Sequence, residues 1–410
     1  MNFTDNKSFC ALAWTHVAAD PDGSVKLCCI QNEHIRKSDG SVYNLGYDKI
    51  DDFYNSEHYK NVRNNMLQGN LIKGCEQCYE KEKAKGLSSR LVYNNTYKDI
   101  IANSDISDFN IRYIDLRFGN LCNLACRSCT PAYSSQLAKE AANNDKIKKY
   151  YGIVNHDMNS WYNTEIFLEN FKKHSSNLNQ VYITGGEPTL IEKNYELLES
   201  LIESGSAKNI LLKFNTNLTN INSRLLNLLP NFKHVLFFIS IDGYKEIQEY
   251  LRYPSNWDQI DKNIKKLCTF YKPKILFTPA PVIQAMNLNN ITDLFEYFEN
   301  FNRINNKTIF HIDPIILFNP DFSSFLYLPL NYKQKCWKKI ETWINSNCKF
   351  QHNRFFSRMK EIENLCNTEY DVGDKPKKFL EFSQIFDENR NQKLENYNPE
   401  LYEIITNLAK

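Results

Sequence analysis

From residue 111 onward, short β-branched and aromatic runs alternate with longer amphipathic segments, and that alternation restricts the chain to repeated βα units around a parallel sheet. Six candidate strands follow: Arg112–Phe118, Gln180–Thr184, Asn209–Asn215, His234–Ile241, Lys274–Ile283 and Thr308–Leu317. Helices are expected between them, as over Asp258–Phe270, where Ile260, Ile264, Leu267 and Cys268 share one face. Beyond about residue 318 the strand signal ends, and Tyr332–Asn345, Asn353–Leu365 and Lys377–Asp387 read as helices. The expected organisation is a cysteine-rich region over 1–98, a βα domain over 111–317 and an α-helical extension over 318–410. The polar stretch from Tyr97 to Asn110 links the first two. At 410 residues, the chain is long enough for each part to bury a core of its own.

Bulk properties narrow the partners. Lys plus Arg number 50 against 48 Asp plus Glu, a formal charge of +2, so no global field steers the chain toward nucleic acid or an anionic membrane. The N-terminus lacks a basic segment followed by an apolar run, and no stretch is long and apolar enough to span a bilayer. The expectation is a soluble cytoplasmic protein with no nucleic-acid or membrane partner. In that setting the twelve cysteines, eight of them before residue 130, point to metal ligation rather than disulfides.

The first cysteine group is Cys122-Asn-Leu-Ala-Cys126-Arg-Ser-Cys129, in the loop leaving the first strand. In βα barrels, chemistry sits at this C-terminal end of the strands. A structural zinc site usually takes four ligands, commonly as two CxxC pairs, and here there are three cysteines. Three thiolates on a four-iron cluster leave one iron open to the amino and carboxylate groups of a methionine moiety. This CxxxCxxC in the first βα loop resembles the defining motif of the radical S-adenosylmethionine (SAM) superfamily. The resemblance implies a six-stranded partial (β/α)6 TIM-like barrel in which Cys122, Cys126 and Cys129 hold a radical-generating [4Fe-4S] cluster beside SAM. Ser128 stands where many members carry an aromatic residue.

Further elements follow in the family's order. Thr184-Gly185-Gly186-Glu187-Pro188 resembles the superfamily's GGEP element: glycines allow close backbone approach to a ligand, and Glu187 is suited to accept a hydrogen bond from its ammonium group. Phe214-Asn215-Thr-Asn217 is similar to the polar strand end beneath the cofactor, and Val282 to Asn287 to the segment lining the adenosine. In Ser240-Ile-Asp242, alternation puts Ser240 and Asp242 on one face, suited to ribose hydroxyls. By resemblance Ser240 is the better ribose partner, and Arg252 pairs with the methionyl carboxylate. A surface arginine paired with Glu246 or Glu249 is the plainer reading of Arg252.

The second cysteine group comprises Cys10, Cys28 with Cys29, and Cys75-Glu-Gln-Cys78, arranged around the turn signals Asp20-Pro-Asp-Gly23 and Ser38-Asp-Gly40. It resembles the twitch or SPASM auxiliary-cluster module, here ahead of the barrel rather than behind it, with Glu80 to Gly86 matching its closing helix. Cys10, Cys28, Cys75 and Cys78 would saturate a second [4Fe-4S] cluster. Cys28 and Cys29 point to opposite sides of an extended segment, and the spacing from Cys10 selects Cys28. A tetrathiolate zinc knuckle has the same spacing.

The resemblance implies reductive cleavage of SAM to a 5′-deoxyadenosyl radical, which removes a hydrogen atom from a substrate. An electron donor such as flavodoxin or ferredoxin is implied too. A redox-coupled peptide or protein modification is the leading expectation. Oxidation of a small molecule such as a sugar, and a noncatalytic zinc or iron–sulfur protein with a degenerate barrel, are the alternatives. Epimerisation would need a thiol hydrogen donor, for which Cys29 and Cys366 are candidates. The aromatic segments Phe322–Tyr327 and Phe379–Phe386 are expected mainly to pack a core.

Overall fold

A computed structural model describes residues 6–83, 86–98, 110–151, 158 and 160–410; most of the expected linker between Tyr97 and Asn110, and residues 84 and 85 of the segment expected to close the cysteine module, lie outside the described residues. The strands are β1 (His16–Ala19), β2 (Val25–Lys26), β3 (Tyr113–Arg117), β4 (Gln180–Thr184), β5 (Leu211–Thr216), β6 (His234–Ile239), β7 (Ile275–Pro279), β8 (Val282–Ile283) and β9 (Ile315–Ile316). The order β2-β1-β3-β4-β5-β6-β7 makes one mostly parallel sheet, with β8 and β9 a separate parallel pair. Long helices fill the C-terminal part, over Leu330–Asn347, Asn353–Cys366 and Lys375–Arg390. The fold is the expected α/β partial barrel with a helical extension. No helix among the described residues is long and apolar enough to cross a membrane.

The chain divides into two compact units, the first formed by Met1–Leu121, Asn155–Phe214 and Asn231–His234, the second by Cys122–Val154, Asn215–Pro230 and Val235–Lys410. In the first, β1 is a strand that its four-residue length hid from periodicity. It pairs antiparallel with β2 and parallel with β3, matching His16, Val17 and Ala18 to Tyr113, Ile114 and Asp115. The cysteine-rich segment therefore joins the edge of the βα sheet at β3. Buried Leu212 and Phe214 of β5 alternate with half-buried Leu211 and Lys213, the period-two pattern of a sheet with helices on one face. Trp161 locks this unit together. Its indole donates to the Pro21 carbonyl at 2.9 Å, and its ring meets Phe118 and Phe167 at 5.5 and 5.2 Å. A Cβ on Gly23 or Gly46 would come within 2.7 Å of it.

In the second unit, the helix Trp257–Phe270 buries Trp257, Ile260, Ile264 and Leu267, and the Asn256 side chain caps its N-terminus by accepting from Gln259. The expected strand 274–283 divides into β7 and β8 around Ala280-Pro281, and the expected strand 308–317 shortens to β9 plus a bridge between Phe277 and Phe310. Proline explains both departures. His311, Asp313, Ile315 and Leu317 still donate to the carbonyls of Phe277, Pro279, Pro281 and Ile283 at 2.8–3.0 Å. A complete parallel ladder needs Pro279 and Pro281 to donate in return, and neither has an N–H. The sixth strand runs in place, bonded from one side only over this stretch.

Candidate active site

The loop after β3 is irregular, so its shape depends on bonds from outside itself. Ala125 N–H donates to the Tyr253 carbonyl at 2.6 Å and Arg127 N–H to that of Leu251 at 2.9 Å, while Ser134 Oγ donates to the Leu124 carbonyl at 2.5 Å. Cys122 N–H donates to Ser135 Oγ at 3.0 Å, and the Asn123 amide exchanges bonds with Asn217 and Thr219 at the end of β5. These bonds hold Cys126 buried and leave Cys122 and Cys129 half-buried. Burial raises the Cys126 thiol pKa, against the pull of the Arg252 guanidinium; burial and the neighbouring Cys126 push Cys129 to about 12. Such thiols ionise when a metal supplies the compensating charge.

Arg252 pairs with neither Glu246 nor Glu249. Its Nε donates to Asp242 Oδ2 at 2.7 Å and its Nη1 lies 3.9 Å from Cys126 Sγ. Burial disfavours its charge, but Asp242 and Cys126 hold its pKa above the usual arginine range. Asp242 is itself buried, accepting from Val282 N–H at 2.8 Å through its other oxygen, so its carboxylate is engaged within the protein. On the neighbouring strand ends, Ser240 is half-exposed, its N–H bonded to the Thr216 carbonyl at 2.8 Å, and Asn215 Oδ1 is buried without a hydrogen-bond partner. An orphaned acceptor in a strand-end position fits a site made for a ligand with hydroxyl or ammonium donors.

Within the first unit, the element after β4 meets the start of the cysteine loop. Gly185 and Gly186 have φ of +81° and +45°. A Cβ on Gly185 would lie 2.6 Å from Arg117 Cβ, and one on Gly186 would collide with the Leu121 carbonyl oxygen. The approach these glycines permit in this structure is therefore backbone to backbone, sealed by a 2.8 Å bond from Glu187 N–H to that same carbonyl. The buried Glu187 carboxylate accepts from the Thr189 N–H and hydroxyl at 3.1 and 2.7 Å. Gly186→Ala is expected to lower both the thermal midpoint and the iron retained per chain. Gly205→Ala, at φ +72° with open space around it, bears only the backbone penalty of about 1–2 kcal/mol and should retain wild-type iron. Parallel melts and iron assays check the pair.

Cys10, Cys28, Cys75 and Cys78 line one small cavity in the first unit, with Tyr79 and Arg90 among its walls. Cys10 precedes a short helix, Cys28 follows β2, and Cys75 and Cys78 open the helix Glu76–Lys83. Burial raises the Cys10 and Cys28 thiols; burial, then Cys28 and Cys78, push Cys75 to about 12. The four thus act on one another electrostatically. Cys29 is exposed and is not among the cavity-lining residues. Among the described residues, no three His, Cys, Asp or Glu side chains converge on a point that could hold a single metal ion. The four thiols lining this cavity match in number the ligands a four-iron cluster would take.

Residues 116–298 match the model of the radical SAM superfamily, and residues 10–79 match that of the iron–sulfur cluster-binding SPASM domain. The βα domain belongs to the radical SAM superfamily. As a radical SAM protein with a SPASM domain, the chain uses a [4Fe-4S] cluster and SAM, and carries auxiliary iron–sulfur binding. No curated protein matches it. Among solved structures it is similar to native anSMEcpe with bound AdoMet, at 17% identity and a TM-score of 0.41, covering 60% of this chain and 65% of that one. It is also similar to SuiB of Streptococcus suis bound to precursor peptide SuiA, at 16% identity and 0.37, covering 87% and 64%. The chain thus spans a little under two thirds of the length of either structure.

Sequence reasoning missed the residues that brace the radical SAM loop: Arg127 within it, Glu140 and Tyr151 on the two helices that follow it, and Asp387 and Arg390 on the helix Lys375–Arg390. Tyr151 OH donates to the Cys129 carbonyl at 3.2 Å. Arg127 and Asp387 lie 260 positions apart, beyond the reach of any local pattern. The one available signal was an arginine inside the cysteine motif itself.

Proposed function

We propose that this enzyme cleaves SAM reductively at a cluster held by Cys122, Cys126 and Cys129, and modifies a peptide or protein substrate in a redox-coupled reaction. The observation that carries the redox half is the shared cavity of Cys10, Cys28, Cys75 and Cys78. Four protein thiolates would occupy every corner of a four-iron cluster, which would suit it to move electrons rather than bind substrate. A [4Fe-4S] cluster held by Cys122, Cys126 and Cys129 would, when reduced, supply the electron for cleaving a carbon–sulfur bond of SAM.

The chain's own residues bind and orient. Arg252, already charged and held by Asp242, presents its guanidinium next to Cys126, where a methionyl carboxylate is to lie. Ser240 and Asn215 offer polar groups from adjacent strand ends toward the ribose. Gly185, Gly186 and Glu187 fix the loop that receives the methionyl ammonium. The first electron comes from a flavodoxin- or ferredoxin-type donor.

Reconstitution of the wild type is expected to give about eight irons per chain. Cys75→Ala should fall to about four while still forming 5′-deoxyadenosine with dithionite, and should lose substrate turnover. Full turnover without the second cluster would sink its electron-transfer role, and zinc in place of iron at that site would do the same. For the substrate class, a small peptide encoded beside the gene is the probe. A mass change on incubation with the reduced enzyme supports peptide modification; an unchanged peptide alongside an oxidised small molecule from a neighbouring pathway overturns it.

A further inference from the structure

The two residues flanking Cys126 are gripped by one and the same helix. On its C-terminal side, Arg127 turns into the protein: Nε donates to the Tyr250 carbonyl at 3.1 Å, Nη1 to that of Ser383 at 3.4 Å, and Nη2 to Asp387 Oδ1 at 2.5 Å and Gln392 Oε1 at 3.1 Å. The guanidinium also lies 3.8 Å from the centre of the Tyr250 ring. On the N-terminal side, the Ala125 carbonyl accepts from Arg390 Nη2 at 2.7 Å. Arg390 in turn forms a two-pronged pair with Glu140, at 2.8 and 2.7 Å, on the helix that follows the loop. Asp387 closes the arrangement by accepting from Leu394 N–H at 2.7 Å.

These charges are out of water: side-chain exposure is 5% for Arg127, 12% for Asp387, 0% for Arg390 and 11% for Glu140. A buried ion pair contributes little net stability over apolar packing, but it fixes geometry, because each partner left alone is a buried uncompensated charge. Planar guanidinium forks add direction to that constraint. Arg127 also reaches the Tyr250 carbonyl, two residues before Arg252, so one side chain joins the cysteine loop, the helix Glu246–Leu251 that ends at Arg252 and the helix Lys375–Arg390.

We propose that Arg127, Asp387 and Arg390 are positioning residues through which the helix Lys375–Arg390 sets the geometry of the Cys126 loop, and with it the binding and potential of the radical cluster. The helical extension is then part of the SAM-cleaving apparatus at one remove. None of its side chains acts on the reacting atoms.

The full-length reconstituted protein tests this with Asp387→Ala, Asp387→Asn and Arg127→Lys. The readouts are iron and sulfide per chain, the electron paramagnetic resonance spectrum of the reduced cluster with and without SAM, its midpoint potential, and KM for SAM against the rate of 5′-deoxyadenosine formation. Asp387→Ala is expected to lose about 10- to 100-fold in cluster affinity or SAM cleavage and to alter the SAM-dependent spectral change. Asp387→Asn, which keeps an acceptor in place, should recover part of the loss. Lys146→Ala, which removes an exposed pair to Glu388 on the same helix, should leave every readout unchanged. Wild-type iron, spectrum, potential and KM in Asp387→Ala and Arg127→Lys overturn the proposal. So does a lower melting point with an unchanged spectrum in the folded fraction, since that is packing alone. If Asp387→Ala does not fold, the spectrum and potential of Asp387→Asn decide.

Discussion

Cys126→Ala should abolish formation of 5′-deoxyadenosine from SAM under dithionite and lower the iron content from about eight to about four per chain. Cys126 is the most enclosed of the three loop cysteines and the one beside Arg252. Its loss would remove a corner ligand and also take away one of the two side chains that Arg252 approaches, leaving the 2.7 Å pair to Asp242. Product chromatography and iron assay on the same sample provide the check. Cleavage at a measurable fraction of the wild-type rate would falsify the assignment of this loop.

Trp161→Ala should destabilise the protein by about 3–5 kcal/mol, the usual cost of emptying a large aromatic site in a core. Trp161 is 2% exposed and packed between Phe118, Tyr162 and Phe167. Two glycines, Gly23 and Gly46, make room for it, so the surrounding backbone is shaped to this one side chain and will not collapse into the space. The Pro21 carbonyl loses its indole donor as well. Against a typical total stability of about 5–15 kcal/mol, that is a large share. Denaturant unfolding measures it, and the cost should also show as lower iron at the cavity of Cys10 and Cys28, because Pro21 and Gly23 belong to the turn between β1 and β2. A midpoint unchanged from the wild type would show that the aromatic cluster repacks.

What could be read from the sequence was what local pattern encodes. β4 falls where alternation placed it, over Gln180–Thr184, and the helix over Trp257–Phe270 begins one residue from its expected start, fixed by the Asn256 cap. The two cysteine groups were legible because their chemistry depends on spacing along the chain. Arg252 was half legible: its charge and place in the order were visible, and its actual partners, Asp242 and Cys126, were not, because they come together only when β6 and the loop after β3 are folded. β1 was missed because four residues, His16 to Ala19, are buried on both faces and show no alternation. The interrupted sixth strand was missed for a different reason. Pro279 and Pro281 sit on its neighbour, and the loss of donors there becomes visible only once the pairing is known. The grip of Arg127 and Arg390 on the cysteine loop lies furthest from sequence, since its members are up to 265 positions apart.

The pairing of β1 with β3 bears on how this enzyme tolerates dissection. A parallel sheet with an open side presents a row of unpaired amides, a template for other chains. Here the first βα strand never shows that row, because His16 to Ala18 cover it, and the outermost member, β2, is only two residues long and continues as isolated bridges to Asn44 and His34. The cysteine-rich segment is thus a protective hem as well as a cluster carrier. Trimming the gene to its catalytic half should yield insoluble material rather than a minimal catalyst, whatever becomes of the iron.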